Sequence, residues 1–455
     1  MHDLTRGSIG GHILRLAAPI AAGMVFQTLY FLVDIFFVAR LGDAAIAGVG
    51  AAANIQFIVM ALTQVLGVGT LVLISHAAGR KDQAAATLVY NQSLLIALLA
   101  AIVTLVGGAT LGRMYVQGIA ATPEAFAAGM TYLWWFLPGL GLQFALVAME
   151  SALRGTGIVK PTMVVQVLTV GLNVVLTPIL VAGWLTGRPM GVAGAGLATT
   201  ISVAVGVLLM WLYFERLEKF VTFDRAMFRP RPAEWARLLR IGLPAGGEFA
   251  LLFLYMGVIY FVVAPFGSGP QAGVVLGMRV MQAVFLPAMA IAFAAAPVAG
   301  QNVGAGLHAR ARETFRVAAG YSALAMACLT ILCQLRAGWL VQGFSGDPEV
   351  LAVGTEFLRI ISWNFVATGV IFTCSSLFQA LGNTLPSVVS SATRIITFAV
   401  PILWRAQQPG FTLRHIWFLS VATVGVQLLV SLLLLKREFR LRLSTPMAEP
   451  AAASA

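Results

Sequence analysis

Long apolar runs alternate along the chain with short breaks that carry charges, glycine or proline. A helix rises 1.5 Å per residue, so each run is long enough to cross a bilayer core of about 30 Å. The pattern predicts twelve spans, with cores at residues 15–39, 45–75, 87–112, 126–153, 162–183, 191–214, 241–265, 271–302, 314–337, 351–378, 387–404 and 415–435. We therefore expect an all-α, multi-pass membrane protein.

Composition agrees with this pattern and explains the net charge. The sequence is 59% hydrophobic and 10% charged, far from the usual soluble range, and its formal net charge is +12. Twenty of the 29 Lys and Arg residues fall in the termini and in the loops of one side, against six on the other side. Because positive loops stay in the cytoplasm, both termini are expected there, and no nucleic-acid partner is needed to explain the charge.

The two halves of the chain repeat each other at one constant spacing, which we call the repeat offset. Four landmarks of the first half recur at this offset in the second half: Pro19 as Pro244, Gly79 as Gly304, Pro123 as Pro348, and Gly157 as Gly382. Six spans followed by six more preserve orientation, so the repeat predicts two six-helix bundles related by pseudo-two-fold symmetry about the membrane normal. This arrangement is typical of transporters that work by alternating access.

The longest polar break separates the two halves. The predicted organisation is an N-lobe at 1–214, a cytoplasmic linker at 215–240, a C-lobe at 241–442 and a disordered cytoplasmic tail at 443–455. The sequence Arg229-Pro230-Arg231-Pro232 cannot be helical. We therefore expect the linker to absorb motion between the lobes.

One acid lies inside the first span. Asp34 is the only charged residue between Arg15 and Arg40, and Gln27 and Tyr30 share its helix face. Ionising a carboxylate in hydrocarbon costs several kcal/mol, so an intramembrane acid is a functional hypothesis by default. The alternative is that Asp34 only bonds a neighbouring helix.

The fifth span carries a polar stripe in the same half as Asp34. Its members are Gln166, Thr169, Asn173 and Thr177, at helical spacing. Such a stripe must face protein or water, because unsatisfied polar groups in hydrocarbon are costly. It is expected to line an N-lobe cavity and to hydrogen-bond Asp34, together with Tyr30 and Thr199. Alternatively, it joins helices by ordinary interhelical hydrogen bonds.

The second half places its charges differently. Glu248 lies about one turn into the seventh span, where it either receives a cationic substrate or pairs with Arg279 or Arg240. Arg279 and Arg394 lie deep in spans and need partners that the sequence does not identify. The residues expected to bind substrate are Gln27, Gln166, Thr169, Glu248 and Arg279.

An ordered set of motifs resembles the multidrug and toxic compound extrusion (MATE) family over residues 10–435. The motifs include Arg15-Leu-Ala-Ala-Pro19, the run from Val33-Asp34 to Gly42, Leu153-Arg154-Gly155-Thr156-Gly157, Gly242-Leu-Pro244 and Gly300-Gln301-Asn302. The resemblance implies twelve helices in two bundles in a bacterial inner membrane, with export of amphipathic organic cations against inward proton or sodium flow. It places the family's first-helix acid on Asp34 and its fifth-helix asparagine on Asn173, whereas Thr177 stands where some members carry a second acid.

The main hypothesis is therefore a proton- or sodium-coupled efflux antiporter with Asp34 as the coupling acid. The alternative is a flippase for a lipid-linked saccharide on a related two-bundle fold, although a diphosphate would favour several intramembrane Arg or Lys. A channel or receptor is a third alternative, against which the duplicated bundle argues.

Enzyme chemistry finds little support in the sequence. All five histidines lie at or near loops, the three cysteines lie in apolar runs, and no phosphate-binding loop occurs. We expect no enzymatic activity, no cofactor and no metal site, and we expect a monomer in the lipid bilayer.

Overall fold

The computed structural model describes residues 1–343 and 346–443, apart from the side chains of residues 29–35 and 53. Within these residues the chain is helical and contains no strand. The helices are α1 (Ile9–Ala39), α2 (Asp43–Gly79), α3 (Gln83–Ile119), α4 (Pro123–Gly155), α5 (Lys160–Val181), α6 (Val192–Arg216), α7 (Pro232–Val263), α8 (Ser268–Gly304), α9 (His308–Gln342), α10 (Pro348–Ile361), α11 (Phe365–Ala380), α12 (Leu385–Ala406) and α13 (Leu413–Leu443).

Twelve segments are long and apolar enough to cross a membrane. Ten lie within single helices, the seventh consists of α7 and a 3-10 turn at Ala264–Phe266, and the tenth consists of α10, a 3-10 turn at Ser362–Asn364, and α11. The predicted twelve-span, all-α membrane architecture is confirmed. Several helices extend well beyond the predicted cores, by nine residues at the start of α7, because the helix continues through polar and charged residues that flank the apolar run.

The repeat extends to the helix boundaries. At the repeat offset, both ends of α2 coincide with those of α8, and both ends of α5 coincide with those of α12. The start of α4 maps onto the start of α10 and its end onto the end of α11. Inside α4, Pro138 maps onto Trp363 in the 3-10 turn that separates α10 from α11. The duplication predicted from scattered landmarks therefore holds at the level of whole helices.

The chain divides into two compact units. The first unit comprises Met1–Asp3 and Ala22–Gly246, and the second comprises Leu4–Ala21 and the chain from Gly247 onward. Both α1 and α7 change unit shortly after a repeated proline, Pro19 or Pro244. The predicted lobe boundaries at 214 and 241 stay a prediction for the functional lobes.

The first unit is built around α4, which packs against α2, α3 and α6. Aromatic and apolar side chains at four-residue intervals give α4 one continuous buried face: Tyr132, Phe136, Leu140 and Phe144, each at most 4% exposed. Close approach to α2 requires glycine, because a Cβ on Gly129 would lie 2.9 Å from the backbone oxygen of Gly48. Small residues of this kind drive helix association in membranes.

In the second unit the central helix is α8, the repeat counterpart of α2, which packs against α9, α10 and α11. Its core is more aromatic: Phe357 meets Trp417 edge-on at 4.9 Å between ring centroids, and Tyr255 packs on Phe398 at 5.0 Å. Each unit therefore has its own core.

The connection between the halves is shorter than predicted and is bound to the first unit. Because Pro232 suits the first turn of a helix, α7 begins there and only residues 217–231 are non-helical. Gln92 of α3 is completely buried, and its Nε2 donates to the backbone oxygens of Met227 and Arg229, both at 2.7 Å. Its Oε1 accepts from the backbone N–H of Arg231 at 3.0 Å and from Trp235 Nε1 at 2.8 Å.

Asn91, the preceding residue, holds the same connection further upstream. Its Nδ2 donates to the backbone oxygen of Thr222, and its Oδ1 accepts from the backbone N–H of Asp224, both at 3.0 Å. These bonds argue against our expectation that the connection absorbs motion between the lobes, because its backbone is paired with buried amides.

The motif Gln301-Asn302 binds the beginning of the chain within the second unit. Gln301 Oε1 accepts from the backbone N–H of Leu4 at 3.0 Å, and Asn302 Nδ2 donates to the backbone oxygen of Leu4 at 3.3 Å. Leu4 is fully buried. The predicted disordered tail falls almost entirely on residues 444–455, outside the described residues.

Candidate functional site

The two central residues of the predicted coupling site, Asp34 and Tyr30, lie on α1, but their side chains are outside the described residues. The same helix approaches the polar stripe of α5 at Gly23, where an added Cβ would overlap Oε1 of Gln166. The first member of the stripe therefore lies against α1.

Register along the two helices places the rest of the stripe. Both α1 and α5 are odd-numbered spans, so they run in the same direction, and each residue advances both by about 1.5 Å. Starting from the Gly23–Gln166 contact, Asn173 is level with backbone position 30, and Thr177 is level with position 34. The backbone thus brings the predicted partners to the same depth.

Asn173 and Thr177 are both fully buried. Thr177 Oγ1 donates to Asn173 Oδ1 at 3.2 Å, which fixes the orientation of the amide. The other end of that amide, Nδ2, has no hydrogen-bond partner among the described residues. Buried donors are rarely left unpaired, so the amide at this position is free to donate to an acceptor such as a carboxylate.

The remaining predicted residues of the first unit have varied environments. Thr199 of α6 is 3% exposed and donates to the backbone oxygen of Ala195 at 3.2 Å. Thr169 is half-buried and donates to the backbone oxygen of Gln166 at 3.0 Å. Gln27 is exposed, one turn beyond Gly23 on the face of α1 that meets α5.

Glu248 belongs to the second unit, so the structure does not place it in the α1–α5 group. Ser375 Oγ of α11 donates to Glu248 Oε1 at 3.0 Å, and Ser391 of α12 also hydrogen-bonds the carboxylate. The contacts that the structure shows for Glu248 are these two serine hydroxyls. The predicted pairing with Arg279 or Arg240 stays a prediction.

Arg279 is exposed on α8 in the second unit. Arg394, for which the sequence identified no partner, lies over the ring of Tyr255 with Cζ 4.1 Å from the ring centroid. A cation at the bilayer centre costs about 2.5–3.5 kcal/mol on insertion scales. A cation–π contact returns roughly 0.5–2 kcal/mol. The ring alone therefore offsets only part of the cost.

Sequence reasoning missed several residues that define these surroundings. Ser375, Ser391 and Tyr255 were not singled out, although Ser391 and Tyr255 could have been found from the repeat. They stand one repeat offset after Gln166 and Tyr30. Asn91 and Gln92 were also detectable, because two adjacent amides at the start of an apolar span need partners.

Comparisons with known proteins agree with the duplicated architecture. The family model described as MatE matches the chain twice, over residues 19–179 and 244–404. Both the starts and the ends of these matches are separated by the repeat offset found within the sequence. The two matches together cover more than half of the chain.

Similar proteins extend over nearly the whole length. The chain is 27% identical to the probable multidrug resistance protein YoeA of Bacillus subtilis, over 90% of this chain and 88% of that protein. It is 26% identical to the multidrug export protein MepA of Staphylococcus haemolyticus, over 91% of each. A solved structure of a multidrug resistance MATE family transporter in an outward-facing conformation has a TM-score of 0.90, at 24% identity over 97% of this chain and 98% of that one. The chain belongs to the MatE family, the multidrug and toxic compound extrusion transporters.

Proposed function

We propose that the protein exports amphipathic organic cations in exchange for protons, with Asp34 as the coupling acid. The family assignment and the names of its multidrug relatives support the export of drug-like compounds. The observation that carries the choice of site is the buried Asn173 amide, whose Nδ2 has no partner among the described residues at the depth of the acid-bearing segment of α1.

The internal repeat supplies a second argument for the position of Asp34. Its equivalent in the second unit is Ile259, and the equivalents of Asn173 and Thr177 are Phe398 and Ile402. Ile259, Phe398 and Ile402 belong to one buried cluster. By this correspondence we infer that Asp34 lies beside Asn173 and Thr177.

Proton coupling follows from the cost of burying charge. An open cavity hydrates the carboxylate, whereas closure around the protonated acid avoids placing an ion in a low-dielectric interior. Protonation also converts an acceptor-only group into one that donates, so its bonds to Tyr30, Asn173 and Thr199 must rearrange. This rearrangement would weaken substrate binding on the external side. Each inward charge gains about 2.3 kcal/mol per 100 mV.

We propose that the lobes alternate between inward and outward access, with both termini in the cytoplasm. The bound linker moves the expected bending points from residues 217–231 to α1 and α7, which change unit just after Pro19 and Pro244. Proline removes a helical hydrogen bond and favours a kink.

Replacing both Pro19 and Pro244 by alanine should slow export while leaving substrate affinity within about threefold. Unchanged export would argue against these hinges.

The experiment that tests the proposed function is efflux of a fluorescent lipophilic cation from proteoliposomes. Proton and sodium gradients are imposed separately, with protein-free liposomes as the control. We expect an inward proton gradient to drive loss of the probe and a sodium gradient to have little effect. If only the sodium gradient drives efflux, the coupling ion is sodium and not the proton. If neither gradient drives efflux, antiport is refuted.

Membership of the MatE family removes the main support for the flippase alternative.

A further inference from the structure

Arg394 occupies the middle of a membrane span and faces the protein interior. It is the tenth of the 22 residues of α12. Phe398 and Ile402, at i+4 and i+8, are fully buried, whereas Ile396 and Val400 on the opposite side are 62% and 65% exposed. The guanidinium therefore projects from the helix face that packs inside the second unit, away from the face that meets lipid.

The described residues place an aromatic ring beneath this guanidinium but no hydrogen-bond acceptor beside it. Tyr255, 5% exposed, lies beneath it; the Tyr255 hydroxyl hydrogen-bonds Ser420 at 2.9 Å, and the ring packs on Phe398. Arg394 Nε is buried without a hydrogen-bond partner. Among the described residues no carboxylate forms an ion pair with Arg394. The side chain is nevertheless partly exposed, so the surrounding residues do not enclose it completely.

Glu248, an acid of the same unit, forms no ion pair with Arg394 among the described residues. Glu248 is held by Ser375 and Ser391, and it lies seven residues before Tyr255 on α7. Seven residues correspond to about 10 Å along α7, whereas Ser391 precedes Arg394 by only about one turn of α12. The guanidinium nevertheless lies on the Tyr255 ring. Both side chains therefore contact neutral groups: two serine hydroxyls for Glu248 and an aromatic ring for Arg394.

We propose that Arg394, seated on Tyr255, is a binding site for the carboxylate of an amphipathic substrate. The proposal rests on the proposed transport function and extends its substrate class from organic cations to compounds that carry an anionic group. The arginine guanidinium presents two parallel N–H donors that match the two oxygens of a carboxylate. A ligand carboxylate would therefore supply the hydrogen-bond acceptors that the described residues do not. The aromatic platform fixes the guanidinium before the ligand arrives, which lowers the cost of binding.

The repeat shows that this feature is particular to the second unit. Arg394 corresponds to Thr169, and Tyr255 corresponds to Tyr30. The first unit therefore has a neutral hydroxyl where the second has a cation. A structural requirement common to both bundles would not explain that difference.

The test compares two fluorescent probes that differ only in charge: an amphipathic aromatic carboxylate and its methyl ester. Binding to purified full-length protein is titrated in detergent, and efflux of both probes is measured in proteoliposomes. We expect the wild type to bind the carboxylate at least tenfold more tightly than the ester. Equal affinities would overturn the proposal without any variant, so a folding defect cannot obscure the answer.

Variants then assign the preference to Arg394. Arg394→Gln should weaken carboxylate binding at least tenfold while leaving the ester within twofold, and Arg394→Lys should retain part of the preference. Arg316→Gln removes the same charge from an exposed position of α9 and should change neither affinity. If Arg394→Gln shifts both probes equally, or neither, Arg394 has only a packing role. A wild type that binds the carboxylate but exports no cationic probe would instead refute the proposed transport function.

Discussion

The two units share their helices but not their chemistry, and the contrast is clearest along α5 and α12. In the first unit the face of α5 that meets α1 carries Gln166, Thr169, Asn173 and Thr177. The matching positions of α12 are Ser391, Arg394, Phe398 and Ile402. Polar character therefore continues along α5 but ends halfway along α12, where two fully buried apolar residues replace an amide and a hydroxyl.

The partner helices differ in a complementary manner. Where α1 has Gly23 against Gln166, α7 has Glu248 against Ser391, so the large polar group has moved to the other helix. Where α1 has Asp34, α7 has the buried Ile259. A duplicated scaffold has thus kept its helix boundaries while each half acquired its own charged residues. The difference suggests that only the first unit couples to an ion through Asp34.

The largest effect expected from exchanging the two patterns is on stability. Phe398→Asn gives the second unit the residue of the first, but it replaces a buried ring within the aromatic core by an amide without a partner. Loss of a buried Phe side chain costs about 3–5 kcal/mol. We expect a clearly lower thermal unfolding temperature in detergent, whereas Phe398→Leu should lose less than half as much. A variant as stable as the wild type would show that position 398 is not part of the core.

The next largest effect is expected on the linker, residues 217–231, which is hydrogen-bonded to α3 of the first unit. Gln92→Leu keeps the size of the side chain but leaves the backbone groups of Met227, Arg229 and Arg231 unpaired. Arg229 and Arg231 are exposed, so each lost hydrogen bond costs about 0.5–1.5 kcal/mol, and several are lost together. Opening of residues 217–231 should therefore increase trypsin cleavage there by roughly tenfold or more. Gln83→Leu, which removes one exposed bond to Lys219, is the matched control and should change cleavage less than about threefold.

A smaller effect is expected on transport when the first unit is made to resemble the second. Asn173→Leu removes the amide proposed to bind Asp34 without a large change in volume. A hydrogen bond to a charged group contributes about 1.5–3 kcal/mol, so proton-driven efflux should fall by at least about tenfold. Thermal stability should change little, in contrast to Phe398→Asn. Undiminished efflux by a folded Asn173→Leu protein would separate Asn173 from coupling.

The smallest effect is expected from Thr177→Val. This change removes the bond that orients the Asn173 amide but leaves the amide itself in place. A neutral hydrogen bond contributes roughly 0.5–1.5 kcal/mol, which corresponds to about a two- to tenfold loss of efflux. Efflux rates of the two variants, measured at matched expression, give the comparison. A loss larger than that of Asn173→Leu would indicate that Thr177 contacts the coupling ion directly.

Much of the fold was predictable because apolar length and a repeated offset are local properties of the sequence. Twelve spans and the duplication follow from them, and helix ends such as Asp43 and Ser268 keep the same spacing. The linker was predicted too long, because Arg229-Pro230-Arg231-Pro232 was treated as a break when its last proline actually begins α7. Proline terminates helices and starts them, and only the following residues distinguish the two cases.

The candidate site was only partly predictable. The stripe on α5 was found because its members share one helix face, which spacing alone reveals. The partners of Glu248 were not found, since Ser375 and Ser391 come from helices distant in sequence and hydroxyls are common in spans. Attraction between opposite charges predicts Arg240 or Arg279 as a partner. The structure brings two serine hydroxyls to the carboxylate.

The most direct test of an asymmetric pair of units is proton-driven efflux by two matched carboxamide variants, Asp34→Asn and Glu248→Gln. Each keeps the shape of its side chain and removes only its ability to carry charge. We measure efflux of the same fluorescent cation from proteoliposomes under a proton gradient, with a binding titration to confirm that each variant is folded. Asp34→Asn should bind the probe but show no gradient-driven efflux, and Glu248→Gln should still respond to the gradient. Full proton-driven efflux by Asp34→Asn, with loss of it in Glu248→Gln, would place the coupling acid in the second unit and contradict the account.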